Sequence, residues 1–115
     1  MAISEFEIKR CERELDKFLS KHRPPAHIRH EVDIRYRIVD QTVEIFEVRP
    51  HWKDTSQRIE TPVAKATYLK TQKIWKVFWH KSDMKWHRYD PVPEVNSIED
   101  FLTLVSEDKH CCFFG

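Results

Sequence analysis

The sequence predicts an α+β fold in two layers: an N-terminal helix, an antiparallel meander of about five strands and a C-terminal helix, forming one domain over residues 1–115. Apolar residues recur at helical spacing near each end of the chain. Between these segments, short stretches alternate apolar and polar residues and are joined by polar turns, which is typical of antiparallel strands with one buried face. Two amphipathic helices need an apolar surface to cover, and such a sheet provides it.

The first helix is predicted over residues 4–22. Ser4 and Glu7 match a capping box, in which each side chain binds the free backbone N–H of the other residue. An apolar stripe follows at three- and four-residue spacing: Ile8, Cys11, Leu15, Phe18 and Leu19. Pro24 ends the helix, because proline lacks the N–H group and disfavours helix in the residue before it.

The first hairpin is predicted from strands at 31–39 and 42–49. With Asp40-Gln41 as the turn, the register pairs apolar residues with each other and opposite charges with each other: Ile38 with Val43, Tyr36 with Ile45, and Arg37 with Glu44. Apolar and charged pairs then match together, as they do in a true register. Asp-Gln is a poor two-residue turn beside Asp-Gly, so a longer loop stays open as an alternative.

A second hairpin is predicted from strands at 63–69 and 74–80, and residues 50–61 are predicted to form a long mobile loop before it. Centring its turn on Lys-Thr-Gln-Lys pairs small residues with large ones: Ala64 with Trp79, Ala66 with Val77, and Tyr68 with Trp75. Small residues opposite large ones suit a packed layer, so this face is assigned to the core.

The last strand is predicted at 84–89, after a turn at Ser82-Asp83 that places Trp86 against Trp79 on the core face. A second helix is predicted over residues 98–107, with Ser97 as its cap. At the end of the chain, Phe113-Phe114 is expected to tuck under the sheet and close the core. The competing interpretation is an exposed C-terminal peptide that docks on a partner.

Composition excludes some functions and indicates others. Gly115 is the only glycine, so the glycine-dependent phosphate loops of the Walker and dinucleotide types are excluded. Net charge is +1 overall, but residues 62–91 carry seven Lys and Arg against two Asp, and residues 92–115 carry one Lys against five acids. This asymmetry favours a positive face on the sheet.

No apolar stretch is long enough for a membrane span, and no signal-peptide core follows the N-terminus. Three cysteines without metal-type spacing fit a reducing compartment. We therefore expect a cytoplasmic protein with no membrane partner and no cofactor. The sequence leaves the oligomeric state open.

The predicted register of the last hairpin also defines a candidate ligand-binding face. It places six side chains away from the core: Lys76, Phe78, His80, Lys85, His87 and Tyr89. Cations interleaved with rings on an open sheet favour single-stranded nucleic acid, because lysines contact phosphates while bases stack on rings. Arg88 leans to the core side in this register and contributes only if its side chain reaches out.

Three alternatives compete with this interpretation. The face is an ordinary solvated surface if the 50–61 loop covers Phe78. Near-zero net charge and the acidic second helix favour a module that binds a protein or a small ligand. A metal-assisted enzyme is the third possibility, since His80 and His87 lie close in strand geometry and His110, Cys111 and Cys112 lie in the tail. Zinc-type ligand spacing is missing, however, and no catalytic or metal-binding residue is assigned.

Several segments resemble, in order, a bacterial family catalogued as domain of unknown function 3024. They are Arg-Pro-Pro-Ala-His-Ile-Arg at 23–29, Glu-Ile-Phe-Glu-Val-Arg-Pro at 44–50, Pro-Val-Ala-Lys at 62–65, Lys-Trp-His-Arg-Tyr at 85–89 and the Cys-Phe-Phe-Gly ending. The resemblance implies a small bacterial protein, usually of one domain, and implies no particular activity.

The resemblance also bears on two local features. Family members typically carry one cysteine before the final aromatic pair, so Cys111 beside Cys112 departs from the pattern. Arg49-Pro50 opens the long loop and Lys85 to Tyr89 forms the last strand. From this spacing we expect the loop and the strand to be neighbours that enclose a groove, with Trp52 as its wall.

Overall fold

The computed structural model describes residues 4–81, 83–108 and 113. Within them the elements run in the order α1 (Glu5–His22), β1 (Asp33–Val39), β2 (Thr42–Pro50), β3 (Arg58–Leu69), β4 (Ile74–His80), β5 (Trp86–Arg88), β6 (Glu94–Val95) and α2 (Ile98–Glu107). The strands form one antiparallel sheet in the order β1-β2-β3-β4-β5, and β6 also pairs with β4. The predicted α+β architecture of two terminal helices and a meander is confirmed.

Both helices begin at the predicted caps. The Ser4 side chain accepts a hydrogen bond from the Glu7 N–H, and the Ser97 side chain accepts one from the Asp100 N–H. These bonds satisfy backbone donors that the first turn of a helix leaves free. Where the helices meet, Arg10 of α1 donates to the Glu99 carboxylate of α2 at 2.6 Å.

The core lies between the two helices and one face of the sheet. The helices contribute their apolar stripes, among them Leu15, Phe18, Phe101 and Val105. The sheet contributes side chains from its first four strands and from the residue after β5: Ile34, Val43, Ile45, Ala64, Ala66, Trp75, Val77 and Tyr89. We call this face of the sheet the helix side and the opposite face the outer face.

The first two hairpins have the predicted registers. Ile38 pairs with Val43 and Tyr36 pairs with Ile45 across a two-residue turn, so the longer loop does not occur. Asp40 in that turn has a φ of 55°, and aspartate tolerates this left-handed region better than most residues. In the second hairpin Ala64 pairs with Trp79, and Tyr68 pairs with Trp75. The ring centroids of Tyr68 and Trp75 lie 5.0 Å apart.

The third hairpin differs from the prediction by one residue. His80 pairs with Trp86, and the Lys81 N–H donates to the Lys85 carbonyl, so the turn is one residue longer than a turn at Ser82-Asp83. Met84 closes the turn with a φ of 67°. Because side chains alternate along a strand, this shift moves every residue of β5 to the face opposite the predicted one.

Residues 50–61 form part of a β-hairpin arm and are not one long loop. β2 and β3 stay paired as far as Pro50 and Arg58, leaving residues 51–57 as the loop. Val63 is the extra residue of a β-bulge, since Ile45 pairs with Ala64 and Phe46 with Pro62. The arm extends β3 five residues beyond its predicted start at residue 63.

The end of the chain was expected to close the core. Phe113 is buried with its ring 4.8 Å from the Tyr89 ring, which confirms the prediction for this residue. Phe114 lies outside the described residues. Among the helices described here, none is long and apolar enough to cross a membrane.

Candidate functional site

The outer face carries a cluster of rings and cations on β3, β4 and β5. We call it the aromatic patch and define it by six residues: Lys65, Lys76, Phe78, His80, Trp86 and Arg88. Strand pairing brings them together, because Lys65 pairs with Phe78, Phe78 pairs with Arg88, and His80 pairs with Trp86. Three of the predicted site residues, Lys76, Phe78 and His80, belong to this patch.

Lys65 is the centre of the aromatic patch. Its Nζ lies 5.0 Å from the centroid of the Phe78 ring and 4.7 Å from that of the Trp86 ring. Burial between these groups lowers the pKa of the Lys65 ammonium, while the carboxylate of Glu44 acts in the opposite direction. The amine therefore has two ring faces as neighbours, and their attraction for a cation offsets part of the cost of burying it.

Trp86 is the patch ring that the sequence prediction missed, because it was assigned to the core. Arg88, also predicted on the core side, pairs with Phe78 on the outer face. Its ring meets the His80 ring edge-on, with centroids 5.2 Å apart. Phe78, His80 and Trp86 are all half-buried, so each ring retains some accessible surface. The signal that locates Trp86 is the length of the turn before it.

The remaining three predicted site residues lie elsewhere. Tyr89 is only 2% exposed and packs in the core, so its predicted place on the exposed face is wrong. His87 pairs with Trp79, so it projects from the helix side of the sheet and not from the outer face. Lys85 is exposed but lies in the turn, where its N–H donates to Asp83. The one-residue register shift accounts for all three corrections.

The end of the third hairpin holds a histidine–aspartate pair. The imidazole of His87 and the carboxylate of Asp83 are hydrogen-bonded at 2.8 Å, and this bond lowers the pKa of Asp83. Lys81 lies 5.0 Å from the centroid of the Trp79 ring. Both members of the pair are accessible to solvent.

A second ring on the outer face is covered by an arginine. The guanidinium of Arg37 lies 4.2 Å from the centroid of the Phe46 ring and forms an ion pair with Glu60. Phe46 is consequently only 5% exposed, although it does not belong to the main core. The arginine side chain therefore shields the Phe46 ring from water, as the helices shield the core on the other face.

Acidic residues are interspersed with the cations of the outer face. Glu44 pairs with Lys65, and Glu94 pairs with Lys76. Arg88 donates to Asp90 at 2.9 Å. The positive charge of the outer face is therefore broken into opposite-charge pairs and does not form a continuous basic groove.

The tip of the arm presents the most exposed tryptophan. Trp52 is 78% exposed, with Lys53 4.8 Å from its ring centroid. His87 lies level with Ala64, whereas the loop follows the pairing of Pro50 with Arg58, six residues further along β3. Six residues of strand span roughly 20 Å, so the expected groove between Trp52 and the last strand is wrong.

The sulfur and imidazole groups form no metal site in the part of the chain that the structure describes. No group of three or more His, Cys, Asp or Glu side chains converges there. Cys11 is fully buried, and burial raises the pKa of its thiol to about 12, as expected for a packing residue. His110, Cys111 and Cys112 lie outside the described residues.

A groove of about 320 Å³ lies between α1 and α2. Phe18 and Leu102 form its floor, and charged side chains of both signs surround it: Glu14, Lys17, Lys21 and Glu99. The imidazole of His22, near one end, is hydrogen-bonded to Ser106 at 3.0 Å. The rim therefore selects for neither sign of charge.

Comparison with known proteins identifies a family and no function. The model of a family described as a domain of unknown function, DUF3024, matches residues 3–115. The chain belongs to this family. No curated protein and no solved structure was found to match it.

Proposed function

We propose that this member of the DUF3024 family is a binding module that holds single-stranded nucleic acid on its aromatic patch. The observation that carries the proposal is the Phe78–Lys65–Trp86 arrangement, an amine within 5.0 Å of two half-buried rings on an open sheet face. Bases stack on such rings whatever their sequence, and nearby cations contact the phosphates. The corrected register exchanges two predicted rings, His87 and Tyr89, for the larger indole of Trp86.

The charges of the patch limit the strength of this binding. Lys65, Lys76 and Arg88 are the cations available to phosphates, and each has an acidic neighbour. With three phosphates contacted, log Kobs is expected to fall with log salt with a slope of about −2. We therefore expect binding that is readily measured at low salt and weak at physiological salt.

The biological setting belongs to the same proposal. We place the protein in the bacterial cytoplasm, where single-stranded RNA is abundant. The expectation rests on the sequence resemblance and on the cysteine content.

Fluorescence anisotropy with a labelled oligonucleotide of about 15 nucleotides tests the proposal, a length that covers the usual site size of such modules. Trp86→Ala is expected to weaken binding by about 5- to 150-fold, since stacking on one ring contributes about 1–3 kcal/mol. Lys76→Glu is expected to weaken binding and to reduce the salt slope.

Lys9→Glu is the matched control, because Lys9, like Lys76, is exposed but lies on α1, in the other layer. It makes the same change of net charge as Lys76→Glu and is expected to bind almost as the natural protein does. Absence of binding at low salt would rule the proposal out, and so would equal losses for Lys9→Glu and Lys76→Glu.

A protein partner is the second candidate function, and the arm favours it. Trp52 is 78% exposed at the tip, and exposed tryptophans are common among residues that dominate protein interfaces. Trp52→Ala is expected to leave oligonucleotide binding unchanged, because the arm tip lies far from the aromatic patch. Loss of oligonucleotide binding in this variant would move the binding site to the arm.

A further inference from the structure

The arm leaves part of one strand edge unpaired. β3 pairs with β2 from Arg58 to Thr67, but with β4 only from Ala64 to Leu69. In the described part of the chain, no strand lies beside residues 58–62 on the side that faces β4. An unpaired edge presents backbone N–H and C=O groups that another strand can bind.

We propose that this edge pairs with the same edge of a second copy of the chain, forming a symmetric antiparallel dimer centred on Ile59. A two-fold axis through Ile59 places each Arg58 opposite the Glu60 of the other copy. Opposite charges that face each other across strands stabilise the pairing. The edge is thus complementary to itself, as a two-fold interface requires.

Exposed apolar residues lie along the same edge. Trp52, Ile59 and Met84 are 78%, 41% and 76% exposed, and they make up three of the five exposed large apolar residues among those described. The pairing places the two Ile59 side chains next to each other. It also brings the 51–57 loop of one copy towards the Lys81–Lys85 turn of the other, since Thr61 then faces Gln57 of the second copy.

Charged residues of both signs lie in the two segments: Lys53 and Asp54 in the loop, and Lys81, Asp83 and Lys85 in the turn. Asp54 in the loop is exposed, and its carboxylate accepts hydrogen bonds from Ser56. Lys81 and Lys85 of the turn are both exposed. Trp52 and Met84, which have few neighbours in one copy, approach each other across the same contact.

The other edges of the sheet offer no equally accessible self-complementary pair. On β1, an axis through Tyr36 sets Arg35 against Arg37. An axis through Ile34 sets Asp33 against Arg35, but Asp33 is only 7% exposed and its carboxylate is already bound by Arg23. On the opposite side, Pro91 and Pro93 separate β5 from β6 and remove two backbone donors. Pro62 ends the free edge of β3, so the pairing covers residues 57–61.

Sedimentation equilibrium of the full chain tests the dimer without reference to any ligand, so it is independent of the proposed function. From low micromolar to near-millimolar concentration, the mass is expected to rise from the 14.0 kDa of one chain to twice that value. Arg58→Glu and Glu60→Arg each place like charges opposite each other. Both are expected to hold the protein at the monomer mass at concentrations where the natural chain is dimeric.

The double variant Arg58→Glu with Glu60→Arg separates intermolecular from internal effects. Within one chain, Glu60 forms an ion pair with Arg37, and Arg58 donates to the His30 carbonyl. The double variant disturbs both of these internal contacts. It is nevertheless expected to restore the dimer, because the exchanged charges again face each other. Arg35→Glu, on the exposed edge of β1, is the control and is expected to leave the dimer intact.

Circular dichroism checks that each variant is folded. A natural chain that stays at 14.0 kDa throughout the concentration range would overturn the proposal. So would single variants that remain dimeric, or a folded double variant that remains monomeric.

Discussion

On the helix side of the sheet, Tyr89 and Phe113 pack ring against ring among other apolar side chains, whereas on the outer face the Phe46, Phe78 and Trp86 rings are covered by cationic side chains. In the first arrangement the rings are almost fully buried, with Tyr89 2% and Phe113 7% exposed. The second leaves the rings half-buried or covered by groups that a ligand can displace. The difference indicates that the helix side contributes most to the stability of the fold, whereas the outer face, on which we propose that the ligand binds, contributes less.

The largest expected effect on stability is on the helix side. Tyr89→Ala removes a buried ring beside Phe113 and should lower the free energy of unfolding by about 3–5 kcal/mol. Arg88→Ala, the adjacent exposed residue, is the control and should change it by less than about 0.5 kcal/mol. Urea denaturation measures both. Similar values for the two variants would mean that the faces of β5 are misassigned.

Phe46→Ala measures how much a covered ring on the outer face contributes to stability. The ring is 5% exposed but is covered by the Arg37 side chain, which is itself partly exposed and is able to settle into the space left behind. The expected loss is about 1–3 kcal/mol, less than for Tyr89→Ala, in the same urea titration. A loss equal to that of Tyr89→Ala would show that the outer face has a core of its own.

Asp33→Asn tests the ion pair at the start of β1. The Arg23 guanidinium binds the Asp33 carboxylate through two hydrogen bonds of 2.7 Å, which holds the pKa of Asp33 below its ordinary value. A depressed pKa stabilises the folded state above the unfolded pKa, about 3.9, and the contribution is lost as pH falls through the folded pKa. We expect Asp33→Asn to lower the free energy of unfolding by about 1–2 kcal/mol at neutral pH.

The pH dependence of that difference is the check on its cause. Urea titrations of both proteins should converge as the pH falls below the pKa of Asp33. A difference that persists unchanged into strong acid would mean that the loss comes from packing and not from charge.

Lys65→Met should have the smallest effect on stability, within about 0.5 kcal/mol at neutral pH. The pKa of Lys65 is lowered by burial, so the ammonium is slightly disfavoured in the folded state and methionine removes that penalty. Because the folded pKa lies below the unfolded one, stability of the natural protein rises with pH between the two values. The stability of the Lys65→Met variant should not rise with pH in urea titrations over the same alkaline range. A rise in the variant would mean that another group causes the pH dependence.

Much of the fold was predictable because local signals agree with one another. Ser4 and Ser97 mark the helix starts, and matched pairs such as Arg37 with Glu44 fix the registers of the first two hairpins. The helical stripes and the small residues opposite tryptophans then identify the helix side.

The register of the third hairpin could not be predicted because the usual marker of left-handed backbone is missing. Glycine normally signals such positions, but Gly115 is the only one, and the described residues with positive φ are Asp40, Lys73, Met84 and Asp108. Met84 therefore gave no sign that its turn is one residue longer. That single residue moved Trp86 to the outer face and Tyr89 into the core, and it changed half of the predicted site.

The arm was hidden for a different reason. Pro62 interrupts the alternation of residues 58–63, and proline within a strand pattern normally indicates a strand end. In the structure it lies beside a β-bulge at an unpaired edge, where its missing N–H is tolerated.

Nuclear Overhauser effects in isotopically labelled protein test the register of the third hairpin most directly. The structure predicts cross-peaks between the Lys65 side chain and the rings of both Phe78 and Trp86, together with cross-peaks between Tyr89 and Phe113. Cross-peaks that pair Trp86 with Trp79, and Tyr89 with Lys76, would contradict it and would remove the aromatic patch.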